Sequence, residues 1–261
     1  SIVGASLEPL DFQGEPFNYS FTLSTSPYAP YYLESIKRKL SDDTKNGLFL
    51  LCVDPWSISR DVELGAYDTA HYADARNIPY NMNFVDLDPN WEYLLKNYHK
   101  GWGDMIVANT LRTTQAELHR DGWLEITVPV NGPRHAQRVA KKVERYRNQN
   151  FYAKEFSAFR FDYLRKTIAY LKHYGKVYLV RIPVDQTLAR IEMDYLPEFD
   201  LLMESCAKNM KVTYLNYISR TGYLTTDGNH LYKESAGQFS RDLCLDILRI
   251  ESDSIRVLAI R

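Results

Sequence analysis

The sequence predicts an α/β fold, in the form of a three-layer α/β/α sandwich around a mainly parallel sheet. Short apolar runs at 48–53 and 177–180 are bounded by turn residues, which is typical of strands that are buried on both faces. Longer amphipathic segments, among them 28–40 and 156–174, alternate with these runs and predict helices. Alternating strands and helices indicate a parallel sheet that is covered by helices on both sides.

The other elements follow from the same two patterns, apolar runs for strands and helical periodicity for helices. In chain order we predict a strand end at 2–3, a short apolar stretch at 17–23, a helix at 91–98, a half-exposed strand at 123–130, a basic helix at 135–147, a strand at 176–184, a helix at 194–209 with Pro197 in its first turn, a strand at 212–217, a helix at 235–250 and a final strand or packed tail at 255–260.

The chain is long enough to form one large domain. Its 261 residues are 45% hydrophobic and 25% charged, which is ordinary for a globular protein with a sizeable core. No internal repeat or low-complexity linker divides the sequence. We therefore predict a single domain over 1–261, with an insertion within about 60–150, where the polar and aromatic sequence has no clear period.

Charge and cysteine usage argue against several classes of function. The net charge of −1 gives no overall attraction to nucleic acid, and we predict no nucleic-acid partner. The basic stretch 134–147 is interpreted as a solvated helix face. Cys52, Cys206 and Cys244 are far apart and form no paired motif, so we expect free thiols and no metal site. We also expect no organic cofactor, because no glycine-rich nucleotide-binding motif is present.

The sequence contains no apolar segment of membrane-spanning length, and we expect no signal peptide within these residues. The chain begins at Ser1 without an initiator methionine, which is the pattern expected of a trimmed chain. If an N-terminal signal or anchor was removed, we expect a periplasmic or other extracytoplasmic location.

The segment 227–231, D-G-N-H-L, is the leading candidate for a site. It precedes the last helix, and ligands of open α/β sheets bind beyond the carboxyl ends of the strands. Asp227 and His230 are close enough in sequence to share one turn, where a carboxylate can fix the tautomer of an imidazole and stabilise its charged form. The alternative interpretation is a surface turn in which Asp227 caps the helix.

The segment 226–231 resembles the last block of SGNH (GDSL-type) hydrolases. In that family, the Asp and His of this block complete a triad with a serine of the first block, so the resemblance implies catalytic roles for Asp227 and His230. The segment 2–7, I-V-G-A-S-L, resembles the first block, G-D-S-L, with Ala5 in place of Asp, and implies that Ser6 is the nucleophile. The family's flavodoxin-like sandwich agrees with the predicted fold class.

A second alignment of the N-terminus remains open. In a branch resembling the proteins that D-alanylate teichoic acids, a G-[ST]-S-R motif is followed by a proline some eight residues later. By that spacing to Pro9, the nucleophile would be Ser1. We prefer Ser6, because its own strand precedes it in the chain.

The resemblance also implies where an oxyanion hole would lie. The segment 17–24 occupies the place of the second block, and the candidate donors are backbone N–H groups from Ser20 to Leu23. The third block normally supplies an Asn, but here Asp54 stands at the strand end. A carboxylate there would repel an oxyanion unless it were protonated or turned away. Ser57, or Asn81 or Asn83 in the next loop, are candidate replacements.

Two functions are compatible with these residues. The first is a serine-dependent acyl-ester hydrolase or O-acyltransferase that acts on an acylated glycan or lipid-type substrate, with a membrane O-acyltransferase as partner. The second is a catalytically inactive binding or accessory protein of cell-envelope polysaccharide assembly, which Ala5 and Asp54 favour. Arg181, at the end of a predicted strand, would either hold an anionic substrate or pair with a neighbouring acid.

Overall fold

The computed structural model describes residues 16–20, 28–62 and 116–259. Its helices are α1 Pro30–Lys39, α2 Gly132–Arg145, α3 Ala158–Leu171, α4 Gln186–Tyr195, α5 Phe199–Met210 and α6 Lys233–Ala259. Its strands are β1 Gly47–Cys52, β2 Ser59–Asp61, β3 Ala116–Leu118, β4 Leu124–Ile126, β5 Lys154–Phe156, β6 Gly175–Arg181 and β7 Thr213–Asn216. A 3-10 turn covers Pro55–Ile58, and a π-helical segment, Tyr146–Phe151, continues α2.

The central sheet has the order β1-β6-β7, and both pairs of strands are parallel. The register joins Gly47 to Gly175 at one end of the β1–β6 ladder and Arg181 to Asn216 at one end of the β6–β7 ladder. Two small antiparallel sheets, β2–β5 and β3–β4, lie outside it. The parallel sheet confirms the predicted fold class.

Helices cover both faces of this sheet. Successive side chains of β6 point to opposite faces, and each set packs into its own hydrophobic core. One core joins Val177 and Leu179 of β6 to residues of α3 and α5, namely Leu164, Ile168, Phe199, Met203, Cys206 and Ala207. The other core joins Tyr178 and Val180 to residues of α6, namely Ala236, Phe239, Leu243 and Ile247. The described chain is therefore layered as helix, sheet and helix.

Two parts of the predicted element string are wrong. The predicted helix at 194–209 corresponds to α5, which begins only at Phe199. Residues 194–195 end α4, a helix that was not predicted, and Pro197 lies between the two helices rather than in a first turn. Proline cannot donate a backbone hydrogen bond, and it disfavours helical geometry in the residue before it. The segment 255–260 was predicted as a final strand or a packed tail, and the strand is wrong, because α6 continues to Ala259.

Several predictions fall on residues outside the described ranges. They are the strand end at 2–3, the C-terminal part of the stretch 17–23, the helix at 91–98 and most of the proposed insertion. Ser1, Ser6, Leu23, Asn81 and Asn83 also lie outside the described residues. Among the helices that the structure describes, none has the length and apolar character needed to traverse a bilayer.

Candidate functional site

The segment 227–231 forms the tip of a closed loop between β7 and α6. Thr225 and Leu231 pair in an antiparallel bridge, and the Thr226 N–H donates to the His230 carbonyl at 2.8 Å. Gly228 has a φ of +108°, and a Cβ at this position would lie 2.9 Å from Leu188 Cδ1. Glycine adopts this conformation without strain and lets the loop approach α4 closely.

Asp227 and His230 contact each other directly within this loop. The Nδ1 atom of His230 lies 3.0 Å from Asp227 Oδ1 and 2.9 Å from Oδ2. The backbone N–H of His230 also donates to Asp227 Oδ1, at 3.1 Å. A proton on Nδ1 that is donated to the carboxylate leaves Nε2 as the acceptor nitrogen, which is the tautomer a general base requires.

Lys142 of α2 is a second partner of the Asp227 carboxylate. Its Nζ atom lies 2.8 Å from Asp227 Oδ2, and both side chains are largely buried. Burial would raise the pKa of Asp227, but the hydrogen bonds and charges of His230 and Lys142 outweigh it and hold that pKa well below its usual range. Asp227 is therefore ionised at neutral pH, as the orienting carboxylate of a triad must be.

Helix α2 holds the loop through three basic side chains, which we call the basic clamp: His135, Arg138 and Lys142. His135 Nε2 donates to the Thr225 carbonyl and Arg138 Nε to the Thr226 carbonyl, both at 2.9 Å. These positions share one face of the helix, because residues three, four and seven apart lie in line. The basic stretch was predicted to be a solvated helix face, but these three side chains contact the loop instead. Their spacing puts them on one face of the helix and does not by itself distinguish that face from a solvated one.

We expect Lys142→Met to lower the free energy of unfolding at pH 7 by about 1 to 2 kcal/mol, because it removes a charge-assisted hydrogen bond to a largely buried carboxylate. Asp227 has a lowered pKa in the folded state, so its stabilisation is complete above the unfolded pKa of about 4 and is lost as the pH falls further. Lys142 acts on the folded-state pKa of Asp227, so the difference between variant and wild type in urea unfolding should stay constant from pH 7 to about 4 and shrink only as the pH falls through that lowered folded-state pKa.

Lys166→Met provides the matched control, because Lys166 pairs with Asp162 within α3 and both side chains are about half exposed. We expect that variant to lose much less stability than Lys142→Met does, because exposed ion pairs contribute little. A Lys142→Met loss that is no larger than the control's would show that the ion pair does not stabilise the loop.

Asn229 attaches the other side of the loop to the π-helical segment. Its Nδ2 atom donates to the Tyr146 hydroxyl at 2.7 Å, and both residues are buried. Burial raises the pKa of Tyr146 well above its usual value, and the charges of Glu192 and Asp54 add to this effect. The Asn229 Oδ1 atom has no hydrogen-bond partner among the described residues. π-Helical turns occur often at functional sites.

Asp54 and Ser57 form a reciprocal cap on the 3-10 turn that follows β1. The Ser57 N–H donates to Asp54 Oδ1 at 2.7 Å, and the Ser57 hydroxyl donates to the Asp54 carbonyl at 2.6 Å. Desolvation raises the pKa of Asp54, more than its hydrogen bonds and the charge of Arg181 lower it. The carboxylate is thus directed into its own turn, and the Ser57 hydroxyl is already bonded within the same cap.

Ser20 is the described member of the proposed oxyanion segment. It is half-buried and follows Tyr19, whose carbonyl accepts a hydrogen bond from the Tyr32 hydroxyl at 2.7 Å. Asn18 is attached to the β3–β4 hairpin, because its N–H donates to the Asp121 carbonyl at 2.7 Å. The structure thus places the described part of this segment between α1 and the hairpin.

Arg181 pairs with neighbouring acids, which is one of the two roles predicted for it. Its guanidinium lies 3.0 Å from Glu192 Oε2 and 2.6 Å from Asp200 Oδ1, and its side chain is 2% exposed. Tyr214 also donates to Asp200 Oδ1, at 2.7 Å. Burial raises the pKa of Glu192 to about 7, with a further contribution from the charge of Asp54. This network joins the ends of β6 and β7 to α4 and α5.

One group of side chains has the composition of a metal site. Donor atoms of Glu117, His119 and Glu125 on the β3–β4 hairpin lie within 4.8 Å of one another. Both oxygens of Glu125 are already bonded, one to His119 Nε2 at 3.0 Å and the other to Lys233 Nζ at 3.1 Å. The Lys233 hydrogen bond lowers the pKa of Glu125. The cluster therefore attaches the hairpin to α6 through the ammonium group of Lys233.

Comparison with known proteins adds no relative: no family model, no curated protein and no solved structure matches this chain.

Proposed function

We propose that the chain is a serine-dependent acyl-ester hydrolase or O-acyltransferase of the SGNH type, acting on an acylated glycan or lipid-type substrate. The observation that carries the proposal is the contact of His230 Nδ1 with both carboxylate oxygens of Asp227, 3.0 and 2.9 Å away. Its position beyond β7, on the loop that enters α6, supports a site at the carboxyl edge of the sheet.

In the proposed reaction, the Ser6 hydroxyl attacks the acyl carbonyl while His230 Nε2 accepts its proton. The bond from the acyl carbon to the leaving alcohol then breaks, and the imidazolium returns the proton to that alcohol. Water, or the hydroxyl of a second substrate, releases the acyl group from Ser6 by the same steps in reverse. Asp227 stabilises the imidazolium in both halves.

The oxyanion would be bound by backbone N–H groups between Ser20 and Leu23, which do not depend on side-chain type. The cap around Asp54 supports this assignment, since its carboxylate accepts the Ser57 N–H rather than standing free beside a developing negative charge. No metal or organic cofactor enters any step. In the cell, the resemblance suggests a place in the envelope beside a membrane O-acyltransferase.

A second function, a non-catalytic accessory protein that binds envelope polysaccharide, is favoured by two observations. Asp54 stands where the family has its oxyanion Asn, and Lys142 competes with His230 for the Asp227 carboxylate. Such a protein would keep the fold and the loop without turning over an ester.

Fluorophosphonate labelling, followed by mapping of the modified peptide, separates the two functions. We expect one labelled serine, Ser6, and loss of the label in Ser6→Ala and His230→Ala. His173→Ala is the matched control, because His173 is exposed and lies beyond the end of α3. A label on Ser1 would favour the second alignment of the N-terminus. A folded wild-type protein that takes no label, hydrolyses no acyl ester and binds glycan would favour the accessory role.

A further inference from the structure

A cavity of about 420 Å³ opens between α4 and the chain that follows β7. Its walls come from residues just beyond β6, from the outer side of α4 and from the loop that leads to Thr225. The carboxyl ends of parallel strands are where open α/β sheets bind ligands, and this volume is typical of small-molecule sites. Neither Asp227 nor His230 lines it.

Two guanidinium groups give the cavity its charge. Arg190 is exposed and has no ion pair or hydrogen bond among the described residues. Arg220 is held in place, because it donates to Asp246 Oδ2 at 2.8 Å and stacks on the Tyr217 ring. The one carboxylate in the walls, Asp185, accepts the Thr187 N–H at 2.8 Å as a helix cap. The net charge of the cavity walls is therefore positive, and Arg190 is the cation available to a ligand.

The remaining walls are hydroxyl-bearing or apolar. Hydroxyl groups come from Ser219, Thr221 and Thr225, whereas Met193 and Ile218 offer apolar surface. The Tyr223 ring is fixed, because its own hydroxyl donates to Asp242 Oδ2 at 2.6 Å. A ligand that complements the cationic, the hydroxyl-bearing and the apolar walls carries an anionic group, several hydroxyl groups and a compact apolar face.

We propose that this cavity binds an anionic carbohydrate, through a carboxylate or phosphate group that Arg190 contacts. The arginine fork bonds both anions in two-point geometry, so the shared chemistry is a sugar with a planar or tetrahedral oxyanion. The cavity adjoins the loop of the proposed active site, because the Asp185 N–H donates to the Gly228 carbonyl at 2.7 Å. Binding here does not depend on the serine chemistry.

Isothermal titration of the whole chain at 0.15 M salt tests the inference with glucose 1-phosphate, glucuronate, glucose and inorganic phosphate. We expect at least one anionic sugar to bind about tenfold or more tightly than either glucose or inorganic phosphate. Glucose lacks the anionic group that Arg190 would contact, and inorganic phosphate lacks the sugar ring that the hydroxyl-bearing and apolar walls would contact. The two anionic sugars distinguish a phosphate from a carboxylate ligand.

Arg190→Gln should weaken binding of that anionic sugar about tenfold or more and leave glucose unaffected. Arg165→Gln on α3 is the matched control, because Arg165 is also exposed but does not line the cavity. Equal weakening by both variants, equal binding of glucose, or no binding of either anionic sugar at about 10 mM would overturn the inference. Ser6→Ala should bind as wild type does, so a wild-type protein that takes no fluorophosphonate label but still binds the anionic sugar counts against the proposed enzyme alone.

Discussion

His230→Ala is expected to reduce the kcat for hydrolysis of a small acyl ester such as 4-nitrophenyl acetate by about 10⁴-fold or more. The reason is that His230 is the proposed general base, and Asp227 holds its Nδ1 atom 2.9 Å from Oδ2. Removing the imidazole leaves the serine with no group to accept its proton. The measurement is the steady-state rate of purified wild type and variant at pH 7 to 8.

His173→Ala controls for the loss of a histidine side chain, and we expect it to retain the full rate. Far-UV circular dichroism of the variants would verify that the fold is kept. A His230→Ala rate within about tenfold of wild type would show that the hydrolysis takes place elsewhere on the molecule.

Arg181→Met is expected to produce the largest loss of stability, about 3 to 5 kcal/mol at pH 8. The variant leaves the Glu192 carboxylate, whose side chain is 2% exposed, without its cation. The pKa of Glu192 is about 7, so Glu192 is mostly protonated at pH 5 and mostly ionised at pH 8. The loss should therefore grow as the pH rises from 5 to 8, measured by urea unfolding at both values.

The matched control is Arg165→Met, which changes an exposed arginine and should cost less than about 0.5 kcal/mol. The double variant Arg181→Met/Glu192→Met should recover most of the loss, since it removes the unpaired charge together with its partner. A loss that is independent of pH, or a double variant as unstable as the single one, would contradict the role assigned to this network.

The fold was predictable from the sequence because the two clearest apolar runs, 48–53 and 177–180, form neighbouring strands of the central sheet, β1 and β6. The apolar run at 177–180 is buried on both sides, and its residues alternate between the two cores, so it has the composition of a central parallel strand. The boundary between α4 and α5 was missed, because Pro197 is also compatible with the first turn of a helix.

The candidate site was predictable only in part, for a physical reason. Asp227 and His230 are three positions apart in one loop, so their contact is local and could be inferred from spacing. Lys142 and Tyr146 reach the same loop from positions more than 80 residues earlier, and such contacts depend on how α2 packs. A basic residue that pairs with a distant acid has the same sequence pattern as one that faces water.

The most direct test of the central claim is the distance between Ser6 Oγ and His230 Nε2 in a crystal structure of this chain. The proposed triad predicts hydrogen-bond reach, about 2.6 to 3.2 Å, or somewhat longer in the unliganded protein. A Ser6 hydroxyl that lies beyond roughly 5 Å from the His230 ring, in a structure where Asp227 still holds Nδ1, would contradict it.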